Sequence, residues 1–375
     1  MLTEDFGFVR ISNEHCLYVR HNPDGSFALA SVHVDDTLAI GSSEEELDRL
    51  QRDLESRWEI TVSDGTFTLG IHIERNRRKR LVRLSQTTLI DRVTEKFGQQ
   101  QAADIHTPME SGIVLSAADC PSSPKAKADM ANVPYRELIG SMQYVAQATR
   151  ADIVYAVGRL AKCMANPGRK HWDAAIRVLR YLKTTRLYRL TLGGSPGKTS
   201  FAAHTKDSPA PQTIIGMSDS DFAACTDTRR SVSGYAFSLS AGAVSWKSRQ
   251  QDLVTLSTCE AEYVAACEAA REAVFLRSLL EQIGHVQRGP TLLLADSQGT
   301  IVLTSDQTNH IRTKHIDIRY HYVQDRTADG NITFKYVQSQ DNVADIFTKP
   351  LPRPAFTKLR KRLGIGAPSS SVQEM

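Results

Sequence analysis

Residues 193–213 carry none of the patterning seen on either side of them. Gly193-Gly194-Ser195-Pro196-Gly197 opens this stretch and Ser208-Pro209-Ala210-Pro211 lies near its end. Glycine frees the backbone and proline lacks an amide to donate, so such a segment reads as a linker. A chain of 375 residues is in any case too long for one ordinary core. The expected organisation is a first domain over 1–192, a linker over 193–213, a second domain over 214–352 and a basic, flexible tail over 353–375.

Composition narrows the class. The chain is 41% hydrophobic and 23% charged, as soluble globular proteins are. A net charge of +4 is mild, so any contact with nucleic acid has to come from local basic patches. No apolar run is long enough to span a bilayer, and the opening Met1-Leu2-Thr3-Glu4-Asp5 is neither basic nor apolar, unlike a signal peptide. The 6 cysteines are scattered without a Cys-x-x-Cys pair, which predicts free thiols in a reducing compartment rather than a disulfide framework or a zinc site.

The first half alternates between strand and helix signals. Residues 31–34 and 37–40 read as a hairpin turning at Asp35-Asp36. Ser43 with Glu46 has capping-box spacing ahead of Leu47, Leu50, Leu54 and Trp58, which recur at helical intervals. A second hairpin, 67–74 with 81–84, carries the basic tip Arg77-Arg78-Lys79-Arg80, and a helix over 87–97 stops at Gly98. Residues 100–133 read as a loop, 135–149, 152–165 and 172–184 as helices, and 187–192 as a strand. The second half predicts strands at 214–218, 233–239, 243–247, 292–295 and 332–337. Helices are expected at 258–283, 298–305 and 317–327, with a last one starting over 342–347. This is an α+β, or α/β, pattern with a mixed sheet and helices packed on it.

Four acids sit where such a sheet gathers ligands. Asp219 and Asp296 follow strands, Glu262 lies early on the long helix and Asp345 starts the last one. Like charges brought together must protonate or bind cations, and hard oxygen ligands suit magnesium or manganese. Two ions about 3.5–4 Å apart form the clamp that nucleases use. Spacing leaves rivals. Glu260 falls three residues after Ser257 and fits a capping box, so Glu262 is assigned to metal. Asp221 shares a strand face with Asp219, and spacing alone does not separate them.

The sequence blocks around these acids carry a resemblance. They are Ser218-Asp219-Ser220-Asp221-Phe222, Asp227-Thr228-Arg229-Arg230-Ser231-Val232-Ser233-Gly234-Tyr235, Ser245-Trp246-Lys247-Ser248-Arg249-Gln250-Gln251 and Leu256-Ser257-Thr258-Cys259-Glu260-Ala261-Glu262-Tyr263. Asp296-Ser297-Gln298, Arg312-Thr313-Lys314-His315-Ile316-Asp317 and Ala344-Asp345-Ile346-Phe347-Thr348-Lys349-Pro350-Leu351 continue the series. In order and spacing they resemble the ribonuclease H of copia-type retrotransposon Pol polyproteins. Upstream, His33-Val34-Asp35-Asp36 resembles the Tyr-Val-Asp-Asp hairpin of reverse transcriptases, with His33 in place of Tyr. Leu69-Gly70-Ile71-His72-Ile73-Glu74, Pro134-Tyr135-Arg136-Glu137-Leu138 and Arg150-Ala151-Asp152-Ile153 extend the match.

The resemblance implies part of a reverse transcriptase, its palm, thumb and connection, followed by a ribonuclease H domain with a mixed five-stranded sheet. Asp219, Glu262, Asp296 and Asp345 would hold two Mg2+ ions (Mn2+ being possible), and Asp35 and Asp36 would serve the polymerase. Arg229, Arg230, Lys247 and Arg249 would grip an RNA–DNA hybrid, and His315 would lie near the site. The remaining polymerase and integrase portions of the polyprotein are implied partners, and a virus-like particle or the nucleus the implied location. The palm strand bearing the polymerase's first catalytic Asp would lie upstream of the hairpin, so this chain by itself is not expected to extend a primer. The alternative is a retroelement remnant that binds nucleic acid without cutting it.

Overall fold

The computed structural model describes residues 2–194, 201, 213–305 and 314–368, without the side chains of 305 and 314–317. The described chain forms two compact units, one of residues 2–69 with 274–288, the other of 70–273 with 289–368.

In the first unit a short helix, α1 (Leu2–Asp5), precedes an antiparallel meander of β1 (Val9–Arg10), β2 (Leu17–His21), β3 (Phe27–His33) and β4 (Asp36–Gly41), paired in that order. Helix α2 (Glu44–Glu55) starts as its spacing predicts, with Ser43 Oγ accepting from Glu46 N at 3.3 Å. Leu50 joins Phe8, Ala28 and Ala30 in a small core. Arg20, also buried, binds Glu46 at 3.3 Å and Asp53 at 2.7 Å. The β3–β4 turn falls on Val34-Asp35, one residue earlier than expected, because His33 pairs with Asp36. That register pairs Ala30 with Ala39 and keeps the alanines of β3 facing the core. Val34 takes the turn's left-handed position, at φ 53°. A two-residue strand, β5 (Phe67–Thr68), ends the segment.

The second unit starts with the hairpin of β6 (Ile71–Asn76) and β7 (Leu81–Ser85), followed by α3 (Thr87–Lys96). Residues 100–133 are not wholly loop: α4 (Pro124–Ala131) forms there, with Ser123 Oγ capping Ala126 N at 3.2 Å. Ser-Pro at the cap and first helical position was the signal for it. Then come α5 (Tyr135–Ala148), α6 (Val154–Ala161), α7 (Arg169–Thr184) and β8 (Arg189–Gly193). The expected mixed five-stranded sheet follows, built from β9 (Ile214–Ser220), β10 (Val232–Leu239), β11 (Gly242–Gln250), β12 (Thr291–Ala295) and β13 (Ile332–Tyr336). Its order is β11-β10-β9-β12-β13, antiparallel except for the parallel pairs β9–β12 and β12–β13. Helices α8 (Thr258–Gln282), α9 (Gln298–Ser305), α10 (Lys314–Ala328) and α11 (Arg353–Arg362), with a short β14 (Ile365–Gly366), complete the secondary structure.

Three expectations change here. The compact units do not divide at 193–213. Leu138, Ile139, Val178 and Leu179 of the helices share one buried cluster with Ile215, Met217 and Phe347 of the sheet region, and Trp246 Nε1 donates to Ala146 O at 3.0 Å. Apolar helix faces need an apolar partner, and here the sheet beyond the linker supplies it. The flexible tail is also corrected: Phe356, Leu359, Leu363 and Ile365 are buried, and Ile365 pairs with Leu190 of β8. The last helix accordingly begins at Arg353, whereas 343–347 form a tight 3-10 turn. Pro350 and Pro352 separate the two, since proline lacks the helical donor and disfavours helix just before it.

Removal of residues 353–375 should therefore unfold the second unit. Each of four buried apolar side chains contributes roughly 1.5–3 kcal/mol, against a total of about 5–15 kcal/mol for a native protein. Far-ultraviolet circular dichroism on the chain ending at Pro352 checks this; a cooperative melt at the full-length temperature would contradict it.

Candidate metal centre

The register of the central strands assembles the site. β9 and β12 run parallel, with Ile215 level with Leu292 and Met217 with Leu294. Two residues further along, Asp219 and Asp296 therefore emerge side by side at the C-terminal ends of neighbouring strands. Glu262 reaches them from the first turns of α8, and its Oε1 accepts from Ser220 N at 3.2 Å. One oxygen each from Asp219, Glu262 and Asp296 lies within 4.8 Å of the others.

Asp345 comes in on the 343–347 turn. Asn342 pins that turn to β9, donating from Nδ2 to Ser218 O at 2.8 Å and accepting from Ala344 N at 3.1 Å. Gly234, paired with Asp219, makes the approach possible. A Cβ there would meet Phe347 Cβ at 2.7 Å and Thr348 Cγ2 at 2.9 Å, so a larger residue would push the turn away.

The electrostatics are those of crowded carboxylates in a low dielectric. Burial first, then the Glu262 and Asp345 charges, hold Asp219 well above the usual carboxylate range. Burial and Asp296 push Glu262 up to about 8. Burial raises Asp345 too, against the pull of Lys349. Asp219 and Glu262 are almost wholly buried, and Glu262 Oε2 has no hydrogen-bond partner. Three hard oxygens with an orphaned buried one among them suit Mg2+ or Mn2+, so the donor set fits the implied metal.

The two rivals separate. Asp221 lies just past the end of β9 and binds back to the sheet, its Oδ1 accepting from Val232 N at 2.5 Å. Glu260 closes the predicted cap, with its Oε2 accepting from Leu256 N at 2.7 Å while its own amide donates to Ser257 Oγ at 3.2 Å. Sequence reasoning missed three polar neighbours of the acids. Thr348 Oγ1 donates to Asp219 Oδ2, Ser339 Oγ donates to Asp296 Oδ2 at 2.5 Å, and Lys349 Nζ lies 2.9 Å from Asp345 Oδ1. The Lys349 contact is an ion pair without hydrogen-bond geometry. Thr348 and Lys349 stand in one of the quoted sequence blocks, but nothing local indicated where they point.

Arg229 and Arg230 are exposed on the loop after β9. Lys247 and Arg249 line a groove with Tyr235, Gln251, Glu268 and Arg319; Arg319 is an addition to the expected set. The side chain of His315 lies outside the described residues. Asp35 and Asp36 sit exposed at the β3–β4 hairpin, and among the described residues no metal-capable cluster includes them.

Cys120, Cys163 and His171 also offer ligand atoms within 4.8 Å of one another. His171 Nδ1 accepts from Gly168 N at 3.0 Å, which leaves the proton of a neutral ring on Nε2. A protonated nitrogen is no ligand, so this trio reads as a helix cap beside two thiols.

The reverse transcriptase (RNA-dependent DNA polymerase) family model matches residues 1–111. Over 359 residues, 96% of the chain, the sequence is 34% identical to the retrovirus-related Pol polyprotein from transposon TNT 1-94 of Nicotiana tabacum. The chain belongs to the copia-type retrotransposon Pol family. It is also 31% identical over 360 residues to the retrovirus-related Pol polyprotein from transposon RE1 of Arabidopsis thaliana. This Pol segment spans about a quarter of those relatives, 26% of the first and 23% of the second. Among solved structures it bears a weak likeness, at 13% identity and a TM-score of 0.41, to the foamy viral protease–reverse transcriptase in complex with RNA/DNA hybrid, over 92% of this chain and 38% of that one. The Pol family's reverse-transcriptase match takes in Asp35 and Asp36. No described helix is long and apolar enough to cross a membrane.

Proposed function

We propose that residues 214–352 of this retrotransposon Pol chain form a ribonuclease H that cuts the RNA strand of RNA–DNA hybrids, joined to a reverse-transcriptase segment over 1–192. The observation that carries the reading is the meeting of Asp219, Glu262 and Asp296 within 4.8 Å, with Asp345 on the adjoining turn. When bound there, Mg2+ or Mn2+ would supply an activated water and neutralise the leaving oxygen. Asp219, Glu262 and Asp296 would hold the metal, and Asp345 would complete the donor set.

The remaining residues position the reacting parts. Thr348 and Ser339 orient one oxygen each of Asp219 and Asp296, leaving the other oxygens free to ligate. Lys247, Arg249, Arg229 and Arg230 meet backbone phosphates, which sets register without reading bases. The RNA strand is chosen by its 2′-hydroxyls and the shape of the hybrid. Water adds to the scissile phosphate and the 3′-oxygen leaves with a proton, giving a 5′-phosphate and a 3′-hydroxyl. Asp35 and Asp36 are proposed as the metal-facing pair of the polymerase hairpin.

The test is a labelled hybrid in magnesium with wild type and Asp296→Asn. Loss of a partner of a metal ligand already costs 10–100-fold, so loss of a ligand should lower cleavage by about a hundredfold or more. Ser339 can donate to the asparagine oxygen, and the melting temperature should stay within a few degrees. Cleavage by Asp296→Asn at the wild-type rate would remove the proposal.

A further inference from the structure

Of the four acids, Asp345 already has a cation. Lys349 Nζ lies 2.9 Å from Asp345 Oδ1, with the carboxylate nearly enclosed and the lysine side chain 43% exposed. Among the described residues no Lys, Arg or His forms an ion pair with Asp219, Glu262 or Asp296. Those three converge within 4.8 Å without Asp345. The cluster is thus uneven: the ammonium group touches Asp345, while its charge reaches Asp219, Glu262 and Asp296 only from further off.

The local fold keeps Lys349 there. The close approach at Gly234 and the anchor at Asn342 fix the 343–347 turn against β9 and β10, and Thr348 ties the next residue to Asp219. This sets the Lys349 backbone within side-chain reach of the Asp345 carboxylate. An ammonium and a divalent ion compete for one oxygen, and two cations about 4 Å apart repel each other at the dielectric of a protein surface. Lysine suits a removable cation: it is a point charge on a flexible stem, without the fixed fork of arginine, and the exposed part of Lys349 gives it room to swing out.

We propose that Lys349 is a built-in counter-ion that occupies the Asp345 side of the centre. A first divalent ion binds at Asp219, Glu262 and Asp296, and a second binds only as Lys349 leaves Asp345, so the two sites fill in sequence with unequal affinity. This deepens the ribonuclease H reading and rests on it.

The experiment titrates Mn2+ into the full chain without substrate and follows the electron paramagnetic resonance signal of the free ion. Wild type should show one binding event, with a second that is at least about tenfold weaker. Lys349→Met should strengthen the second event by about tenfold or more and the first by several-fold less. Lys349→Arg, which keeps the charge, should retain a weak second event. Lys349→Gln gives a second reading should the methionine variant melt early. An unchanged or weakened second event in both neutral variants overturns the role assigned to Lys349, even with the first event intact. If wild type binds no Mn2+ at all, the metal-centre reading falls with it, and the two failures are thereby distinguished.

Discussion

Arg150→Met should cost the protein about 3–5 kcal/mol of stability, the largest effect expected from a single substitution outside the acidic centre. Arg150 and Asp152 are 1% and 2% exposed. The guanidinium binds the carboxylate in a fork, Nε to Oδ1 and Nη2 to Oδ2, both at 2.9 Å. The same group reaches Thr185 O at 3.1 Å and Thr185 Oγ1 at 2.7 Å, tying the start of α6 to the end of α7. Tyr181 OH donates to Asp152 as well. Burial favours the neutral acid, but Arg150 and Tyr181 more than offset it and hold Asp152 below its ordinary range. Arg150→Met leaves that charge buried with Tyr181 as its hydrogen-bond partner and Arg360 as a more distant cation. Urea unfolding should show a lowered midpoint at constant slope, and Asp152→Leu in the Arg150→Met background should restore much of the loss, since an apolar pair can replace a buried ion pair. A single variant within about 1 kcal/mol of wild type would show that the cluster does not hold the helices.

In chelator, the chain should melt at a lower temperature at pH 9 than at pH 6. The folded protein holds Glu262 at about 8 against an ordinary 4.5, and Asp219 is raised as well. A raised carboxyl keeps its proton in the folded state after the unfolded chain has lost it. Its contribution is complete below the unfolded value and is lost as pH climbs through the folded one. Each such proton changes stability by at most about 1.4 kcal/mol per pH unit. Glu262→Gln should flatten the decline, because the amide never ionises. Magnesium should raise the melting temperature more at pH 9 than at pH 6, since ligands must be deprotonated to bind. Differential scanning calorimetry across this range decides it: a wild-type melting temperature that rises from pH 6 to pH 9 in chelator contradicts the assigned electrostatics.

Much of the element order, and the chemistry on offer, is legible along the chain. The cap at Ser43, the stop at Gly98 and the place of Glu260 in a cap were legible because caps and turns are set within three or four residues of chain. The mixed sheet was legible because each of its strands carries its own apolar run. The rest depends on partners far apart in the chain, which meet only on folding. Asp219 and Asp221 share a period of two, and which of them stands beside Glu262 and Asp296 depends on where β9 ends. Lys349 stands in one of the quoted blocks with no local sign of its role, and the turn anchored by Asn342 sets it on Asp345. The helix over 353–362 reads as tail along the chain because the surfaces that bury Phe356 and Leu359 belong to elements far away in the chain. A local pattern fixes which face of an element must be covered, and the packing of distant segments fixes what covers it.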